Sequence, residues 1–531
     1  MYTDRIENTL SLTIKGKSYT VPGANIKECN LNLETSGFSG EMTFWLSSEQ
    51  SEDKLLDAFT GVELISFELS VQNYTFSDKE KSEKITLKGL IGKRSVLEAQ
   101  FVDVKDSKVL FHKYKCVFTD PAQFLWKQHY PTELYVDQTM KDVINAQVVD
   151  PISIKLTWDK LSDKKPMICL GMGAYKLSFY QFLLDYINEN CVYFIYDYSK
   201  NAYEILDKKA YADTENRFLP HQLSNVHVHF PETDFQSVNI LNGNTDQAKI
   251  TEVAKNKVVQ NIKNDFVIVT PFSKDVEAEK TLEKTRNTQV LPTLDFQFTS
   301  YPMKAVFPGS SICLDHDLWN KSSLFFKKKY RTVSSQIYFS ATENHVENDL
   351  NLSHTNYTFS VQLKCEEKEN VSFNKRINQL KPFYVEGLLL SDTGEDSDKT
   401  YQYKKNDDTK QNEYRIKIPL WDKEIKLVFK PDFINPHFYF PLYKNTRVRL
   451  EMHLFYARID RVLDWGKSVF LEQDTQGNHL LFGKNNTDET SLKHVYEDNK
   501  PVFSILRTKE KDTELFRMEE GVMIFETKEN E

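Results

Sequence analysis

A glycine-bearing run at residues 171–176, Gly-Met-Gly-Ala-Tyr-Lys, is similar at its start to a phosphate-binding loop. Phosphate loops use glycine because backbone N–H groups must come close to the pyrophosphate. Lys176 stands where the third glycine belongs, and no acidic residue is placed to hold a ribose. The run therefore predicts no dinucleotide site, and no cofactor is expected.

A histidine between two aspartates, Asp315-His316-Asp317, is a candidate metal site. Structural zinc sites need further histidine or cysteine ligands at short spacing. No second histidine lies near His316 in the sequence, and the run Pro-His-Phe-Tyr-Phe at 436–440 is far from it. We interpret His316 as part of a surface turn and expect no metal ligand.

Catalytic motifs are missing from the sequence. It has no HExxH, GxSxG or P-loop pattern, and among 77 acidic residues no carboxylate pair identifies an acid–base couple. The cysteines form no CxxC pair, which favours reduced, mostly buried thiols over disulfides or zinc ligands. They are Cys29, Cys116, Cys169, Cys191, Cys313 and Cys365. No catalytic residue is predicted, and we expect that the chain is not an enzyme.

The composition limits the class of protein. The 68 basic and 77 acidic residues give a net charge of −9, and the pI is about 5.8. Nucleic acid is not an expected partner, because phosphate binding needs a basic face. The aromatic content of 13% favours β-rich structure. A length of 531 residues allows about three or four domains.

The N-terminal residues, Met-Tyr-Thr-Asp-Arg-Ile-Glu-Asn, lack the basic and apolar regions of a secretory signal. No stretch approaches the ~18 apolar residues that a membrane span needs. We expect a chain that is made and folds in the reducing cytoplasm without a signal peptide, so that any export depends on another route.

Residues 178–198 combine a helical period with a strand. Ser178 and Gln181 have the spacing of a capping box, which satisfies free N–H groups at a helix start. An apolar stripe at helical spacing follows, and Val192–Tyr198 is an aromatic and β-branched run typical of a strand. The stripe consists of Phe179, Phe182, Leu183, Tyr186 and Ile187. We expect this stripe to be core and not a ligand cage.

Most of the remaining sequence alternates apolar and polar residues, which predicts strands. Two more helices are predicted within 139–148 and 275–289. The second has almost no apolar stripe, so we expect it to be a solvated connector or one flank of a larger assembly. A charged linker, 368–382, precedes short strands of the kind that form small barrels.

Four stretches, in this order, resemble motifs of VgrG-type spike proteins, the hub and needle of contractile injection machines. They are 118–145 (strand, tryptophan-bearing turn and helix), 177–198 (helix and aromatic strand), 276–290 followed by 305–315 (late helix and a strand entered through Pro308-Gly309) and 439–453 (barrel strand). The sequence departs from the family at two turns. Cys191 stands where the family turns on glycine, so we expect Asn190 to take the left-handed conformation. The barrel turn has Lys444 and Asn445 in place of glycine.

The resemblance implies a mainly β fold with short helices: a hub of two β-barrel subdomains (1–376), an oligonucleotide/oligosaccharide-binding (OB) barrel (377–470) and a short C-terminal β-spike (471–531). It implies a homotrimer that caps a hexameric Hcp-like tube, contacts baseplate proteins and carries a PAAR-like tip protein or effectors at its C-terminal end. Such a spike pierces a target membrane transiently when the machine fires, and is then extracellular.

The sequence of the C-terminal part fits a spike. Leu515, Met518, Val522 and Ile524 come near one another in a segment too short to bury them alone, and three copies around an axis would bury them. In 446–452, Val448, Leu450 and Met452 alternate with Arg447, Arg449 and Glu451, which predicts a strand with a charged outer face.

Two other classes of function stay open from the sequence. One is an exported or surface-bound β-rich glycan-binding module, which would be monomeric. The other is a hydrolase fused to a hub, although no insertion between hub and barrel is large enough for a catalytic domain.

Overall fold

The computed structural model of the chain is mainly β, as predicted. It describes residues 2–47, 53–74, 82–102, 108–209, 215–243, 249–255, 259–270, 272–343, 351–373, 381–396, 398–407, 410–428, 440–465, 477–485 and 487–529. Residues 436–439 of the Pro-His-Phe-Tyr-Phe run lie outside these ranges, as do the predicted boundaries after residues 376 and 470, which stay predictions.

The helices are short. They are α1 (Leu56–Thr60), α2 (Pro121–Trp126), α3 (Met140–Ala146), α4 (Met172–Tyr175), α5 (Phe179–Glu189) and α6 (Ser273–Arg286). Short 3-10 helices lie at Gly23–Asn25, Asp159–Ser162 and Pro220–Gln222. No helix in the described ranges has the length and apolar character needed to cross a membrane.

The strands follow in chain order. The first ten are β1 (Tyr2–Ile14), β2 (Lys17–Pro22), β3 (Ile26–Glu34), β4 (Gly37–Ser47), β5 (Ile65–Asn73), β6 (Ile85–Val102), β7 (Lys108–Thr119), β8 (Thr132–Thr139), β9 (Ile154–Leu156) and β10 (Lys164–Gly171). The next are β11 (Tyr193–Asp197), β12 (Ala202–Leu206), β13 (Glu215–Arg217), β14 (Leu223–His229), β15 (Ser237–Leu241), β16 (Ile250–Lys255), β17 (Lys263–Val267), β18 (Thr293–Phe298), β19 (Ser311–Cys313), β20 (Lys329–Ala341) and β21 (His354–Glu367). The last are β22 (Phe383–Leu390), β23 (Tyr403–Lys405), β24 (Asn412–Ile418), β25 (Lys423–Val428), β26 (Thr446–Met452), β27 (Ala457–Trp465), β28 (Gly477–Asn485), β29 (Asp488–Glu497), β30 (Lys500–Lys509), β31 (Asp512–Glu519) and β32 (Val522–Lys528).

The chain divides into two compact units. The first comprises residues 1–130, 144–161 and 177–378, and the second 131–143, 162–176 and 379–531. Two stretches that the prediction placed in the hub, 131–143 and 162–176, therefore group with the C-terminal residues.

A closed ring of antiparallel strands forms the centre of the first unit. Its strands are paired in the order β20, β3, β4, β7, β6, β5, β1 and β21, and β21 pairs back with β20. The predicted alternation is visible in β1, where Leu10, Leu12 and Ile14 are buried. Because one side of each strand faces the enclosed core, apolar residues recur at every second position.

Strands β20 and β21 extend beyond the ring. Their overhanging ends pair with β19 and β18, which in turn pair with β13 and β14. The other strands of this unit form two three-stranded sheets, β11-β12-β9 and β16-β15-β17. In the described ranges these pairings join the ring and the strands beyond it into one sheet. The division of residues 1–376 into two barrel subdomains stays a prediction.

The second unit contains two sheets and a strand pair. Strands β22 to β27 form one sheet, and β8 pairs with β10. Leu134 of β8 and Met167 of β10 belong to one apolar core with Ile416 and Leu450 of that sheet. The indole N–H of Trp421 donates to the carbonyl oxygen of Thr132 at 3.0 Å, which ties the sheet to β8. The residues of the predicted barrel therefore share their core with the β8–β10 pair.

Candidate interaction surfaces

The amphipathic helix and the aromatic strand predicted within 178–198 are both present, as α5 and β11. The hydroxyl oxygen of Ser178 accepts from the backbone N–H of Gln181 at 3.3 Å. The side-chain amide of Gln181 donates to Asp185 at 2.8 Å and does not bond back to Ser178, so only half of the capping box forms. Phe179 and Phe182 are buried. The prediction that the aromatic stripe is core is confirmed for these two residues, and Tyr186 is half-buried.

The end of α5 is a turn that needs a left-handed residue. The cap residue Asn190 has φ −88° and Cys191 has φ 54°. The prediction that Asn190 takes the left-handed conformation was wrong, because the chain reverses one residue past the cap. Val192 N–H donates to the Ile187 oxygen at 3.2 Å and Cys191 N–H to the Asn188 oxygen at 3.1 Å, which is the pattern of a Schellman turn.

A buried carboxylate, Asp120, links three elements of the first unit. It accepts from the backbone N–H of Phe38 at 3.1 Å, from the N–H of Gln123 at 2.9 Å and from the hydroxyl of Tyr203. Burial raises the pKa of Asp120, and the hydrogen bonds oppose that rise. The sequence analysis missed this residue, although Asp120 followed by Pro121 is the usual pattern of a helix start.

The tryptophan of the 118–145 motif is also a core residue. The indole N–H of Trp126 donates to the carbonyl oxygen of Gln147 at 2.8 Å, and its ring meets Phe179 edge-on at 5.2 Å. Two stretches of the resemblance, 118–145 and 177–198, therefore meet in the core of the first unit through these rings.

The glycine-bearing run at 171–176 has a packing role. It spans the end of β10 and the short helix α4, and Lys176 has φ 54°. A Cβ atom on Gly171 would come within 2.4 Å of the Phe383 ring, so glycine is needed there for side-chain packing. The close approach that requires glycine at this position is therefore to an aromatic ring.

His316 lies in an exposed turn. Its Nδ1 accepts from the backbone N–H of Leu318 at 3.2 Å, and Asp315 pairs with Arg217 at 3.5 Å. Within the described residues, no three His, Cys, Asp or Glu side chains come close enough to hold a metal ion.

The cysteines are free thiols. Five are buried, and Cys191 is half-buried. Burial raises the pKa of Cys116, Cys169 and Cys365 to about 12, which makes these thiols unreactive at neutral pH.

The outer face of β26 departs in one position from the predicted pattern. Val448, Leu450 and Met452 point into the core as predicted. Glu451 was predicted to face solvent and is buried, because Arg458 and His453 bond its two oxygens at 2.7 and 2.8 Å. Burial by itself would raise the pKa of Glu451, but these two partners hold the pKa below its usual value.

The C-terminal residues form a five-stranded antiparallel sheet, β28 to β32 in sequence order. One cross-strand row of this sheet is apolar in every strand, and we call it the apolar ladder. It consists of Leu480, Leu492, Ile505, Phe516 and Phe525. Its inner members are half-buried, while Leu480 at one end is 48% exposed and Phe525 at the other is 76% exposed. The ladder is therefore incompletely covered within one chain.

The four apolar residues singled out in this region do not share one face. Register pairs Met518 with Met523, on the face of the ladder, while Leu515 and Ile524 lie on the opposite face with Val522. Because side chains alternate along β31, Met518 lies on the opposite face of the sheet from Leu515. Met518 and Val522 are exposed, at 43% and 51%.

Comparison with known proteins identifies the fold. No protein-family model matches the sequence, and no curated protein matches it. A chain of the lidless PdpA–VgrG complex is similar, with a TM-score of 0.75 and 13% identity over 100% of this chain and 99% of that one. A chain of the half-lidded Francisella PdpA–VgrG complex gives 0.75 and 12% over 99% and 88%. The chain shares their fold.

A third similar structure, the 43 kDa tail protein of prophage MuSo2 from Shewanella oneidensis, has a TM-score of 0.42, which is too low to support an argument. At 12–13% identity the likeness to the PdpA–VgrG complexes establishes the fold alone. Both sheets of the second unit fall within the compared region, since all or nearly all of this chain is covered.

Proposed function

We propose that this chain is a structural hub-and-spike component of a contractile injection machine. The observation that carries the proposal is the shared fold with chains of the PdpA–VgrG complexes, over 99–100% of its length. The order of the VgrG-like motifs in the sequence supports it independently. In this proposal residues 1–376 are the hub, 377–470 an OB barrel and 471–531 the spike.

The proposed assembly is a homotrimer. The exposed ends of the apolar ladder, Leu480 and Phe525, support it, because each leaves a large apolar side chain in water in the single chain. Three copies that place their C-terminal sheets around one axis would remove these side chains from water, and closed rotational symmetry limits the assembly to a finite size.

The proposed partners follow from the role. The hub would cap a hexameric Hcp-like tube and contact baseplate proteins, and the C-terminal end would carry a PAAR-like tip protein or effectors. The chain would be cytoplasmic before assembly, would pierce a target membrane when the machine fires, and would then be extracellular. We propose no catalytic activity and no metal or cofactor for this role.

Light scattering of the purified chain tests the assembly. A trimer has about three times the chain mass of 62.2 kDa, and a large apolar interface is expected to persist on dilution. If the chain alone is monomeric, the measurement is repeated in the presence of a hexameric Hcp-like tube protein. A chain that stays monomeric at high concentration, and with tube protein present, contradicts the proposal and favours a monomeric binding module.

A further inference from the structure

A polar cleft of about 370 Å³ lies on the sheet of the first unit. It is formed by four neighbouring strands in the order β20, β21, β18 and β14. Its volume falls within the range of small-ligand sites. None of the motifs in the sequence analysis includes this cleft, and the proposed hub function does not use it.

Two cross-strand rows supply the polar lining. The first row is Ser334, Lys364, Asp295 and His227. The second row is Gln336, Gln362, Gln297 and Ser224. Side chains in paired positions lie on the same face of a sheet, so these eight residues form one hydrogen-bonding surface.

Irregularities in two strand pairs coincide at this surface. The β14–β18 register shifts between Ser224 and His227, and the β20–β21 register shifts between Thr332 and Ser334. One shift ends at His227 and the other at Ser334, and these are the two outer residues of the first row. A bulge bends its strand and redirects side chains, so a bulge on each side of the inner strands accounts for a concave site on the sheet.

Several polar groups of the cleft have no partner among the residues that the structure describes. Asp295 Oδ1 is buried and accepts no hydrogen bond, although Oδ2 lies 3.1 Å from His229 Nε2. The side chains of Gln336, Gln362 and Lys364 are exposed to solvent, and in the described part of the chain they make no hydrogen bond or ion pair, so they are free to contact a ligand. A buried acceptor without a donor is costly, and a bound ligand with a hydroxyl group would supply that donor.

We propose that this cleft binds a saccharide. The hydroxyl groups of a sugar both donate and accept hydrogen bonds. The side-chain amides of Gln336 and Gln362 and the hydroxyl of Ser334 do the same. Asp295 supplies an acceptor for a sugar hydroxyl, and Lys364 supplies a donor. One lysine beside one aspartate leaves the site near neutral, which disfavours a phosphorylated or polyanionic ligand.

Saturation-transfer NMR tests the proposal, because it observes the sugar and suits a large protein. The probes are maltose, lactose and chitobiose, each at tens of millimolar with the full chain. We expect saturation transfer to at least one of them. Loss of two amide hydrogen bonds in Gln362→Ala is expected to weaken that binding about tenfold. Asp295→Asn is expected to weaken it as well, because the buried acceptor loses its charge.

The matched control is Gln72→Ala, on β5 of the same ring and outside the cleft. It should leave binding unchanged, and circular dichroism should give the same spectrum for all variants. The proposal is wrong if none of the three sugars receives saturation, or if Gln72→Ala weakens binding as much as Gln362→Ala.

A second copy of the chain is the competing occupant of the cleft. Maleimide labelling of Gln362→Cys distinguishes the two cases, because a free cleft leaves this position reactive in every assembly state. Labelling that occurs only after the assembly is dissociated would make the cleft an interface between copies and would overturn the proposal.

Discussion

The backbone N–H of Val192 donates to the carbonyl oxygen of Ile187 at 3.2 Å and ties the end of helix α5 to the residue that precedes strand β11. This bond requires the residue directly after the helix cap to be left-handed, and that residue is Cys191, with φ 54°. A side chain with a Cβ atom is strained in this conformation, and glycine is not.

Substitutions at Cys191 should therefore depend on backbone conformation more than on size. Cys191→Val is expected to lower the free energy of unfolding by about 2 kcal/mol, because a β-branched residue is disfavoured at positive φ. Cys191→Gly should be neutral or slightly stabilising. Urea unfolding checks this, with Cys313→Val in strand β19 as the control. Equal losses in Cys191→Gly and Cys191→Val would contradict the conformational explanation.

Local patterns predicted the elements around this turn but not how the chain reverses. The apolar stripe of α5 and the alternation of β1 and β26 follow from the period of each element, which the sequence displays directly. The position of the left-handed residue depends on where the last helical hydrogen bond forms. A shift of that bond by one residue decides whether Asn190 or Cys191 is left-handed. Glu451 was misjudged for a related reason, since its partners Arg458 and His453 lie outside its own strand.

The larger arrangement was less accessible to sequence reasoning. The joining of β8 and β10 to the core of the second unit depends on residues far apart in the chain, such as Leu134 and Leu450, which belong to one apolar core. The polar cleft combines strands separated by more than a hundred residues, and its glutamines and serines look like ordinary outward-facing strand residues. The same holds for the apolar ladder, because the register across five strands decides which apolar residues align.

Asp120 should be sensitive to loss of charge without loss of size. In Asp120→Asn one amide N–H₂ group would face a backbone donor, either of Phe38 or of Gln123. A buried donor left without its acceptor costs about 1–3 kcal/mol, so we expect a loss of that size in the free energy of unfolding. Asp142→Asn is the control, because Asp142 bonds Thr139 at an exposed helix start. A loss no larger than that of the control would show that the Asp120 network is unimportant for stability.

Lys209 should make stability depend on pH. It lies 2.7 Å from Glu366, which also pairs with Arg331, and burial lowers the pKa of Lys209 to about 7, with Arg331 adding to the effect. The unfolded chain keeps the usual lysine pKa. At a pH between the folded pKa and that usual pKa, the unfolded chain therefore binds more protons at Lys209 than the folded chain does. Stability from this residue therefore rises with pH above about 7, by at most about 1.4 kcal/mol per pH unit.

The difference between the wild type and Lys209→Met isolates this effect, because the cysteines and tyrosines titrate in both proteins. We expect the wild type to gain stability relative to the variant as pH rises from 7 to 9. Lys88→Met provides the comparison, since Lys88 is an exposed lysine paired with Glu68. A difference that is constant with pH, or one that Lys88→Met reproduces, would rule out a depressed pKa for Lys209.

Substitutions at the ends of the apolar ladder distinguish an effect on folding from an effect on assembly. Phe525 is 76% exposed in the single chain, so Phe525→Asp removes little that the chain itself buries and should leave its secondary structure and thermal midpoint nearly unchanged. In a trimer that buries this face, the same change would place three carboxylates in an apolar interface, where unpaired charges are strongly disfavoured. Light scattering should then report trimers for the wild type and mainly monomers for the variant. Phe230→Asp is the matched control, because Phe230 is 70% exposed and lies in the first unit.

Replacing Val522 and Ile524 with aspartate tests the opposite face of the sheet in the same way. If Phe525→Asp leaves the trimer intact while the Val522 and Ile524 double variant breaks it, the copies meet through the other face and the ladder is free for a further partner. If neither change alters the mass, the C-terminal sheet does not hold the assembly together.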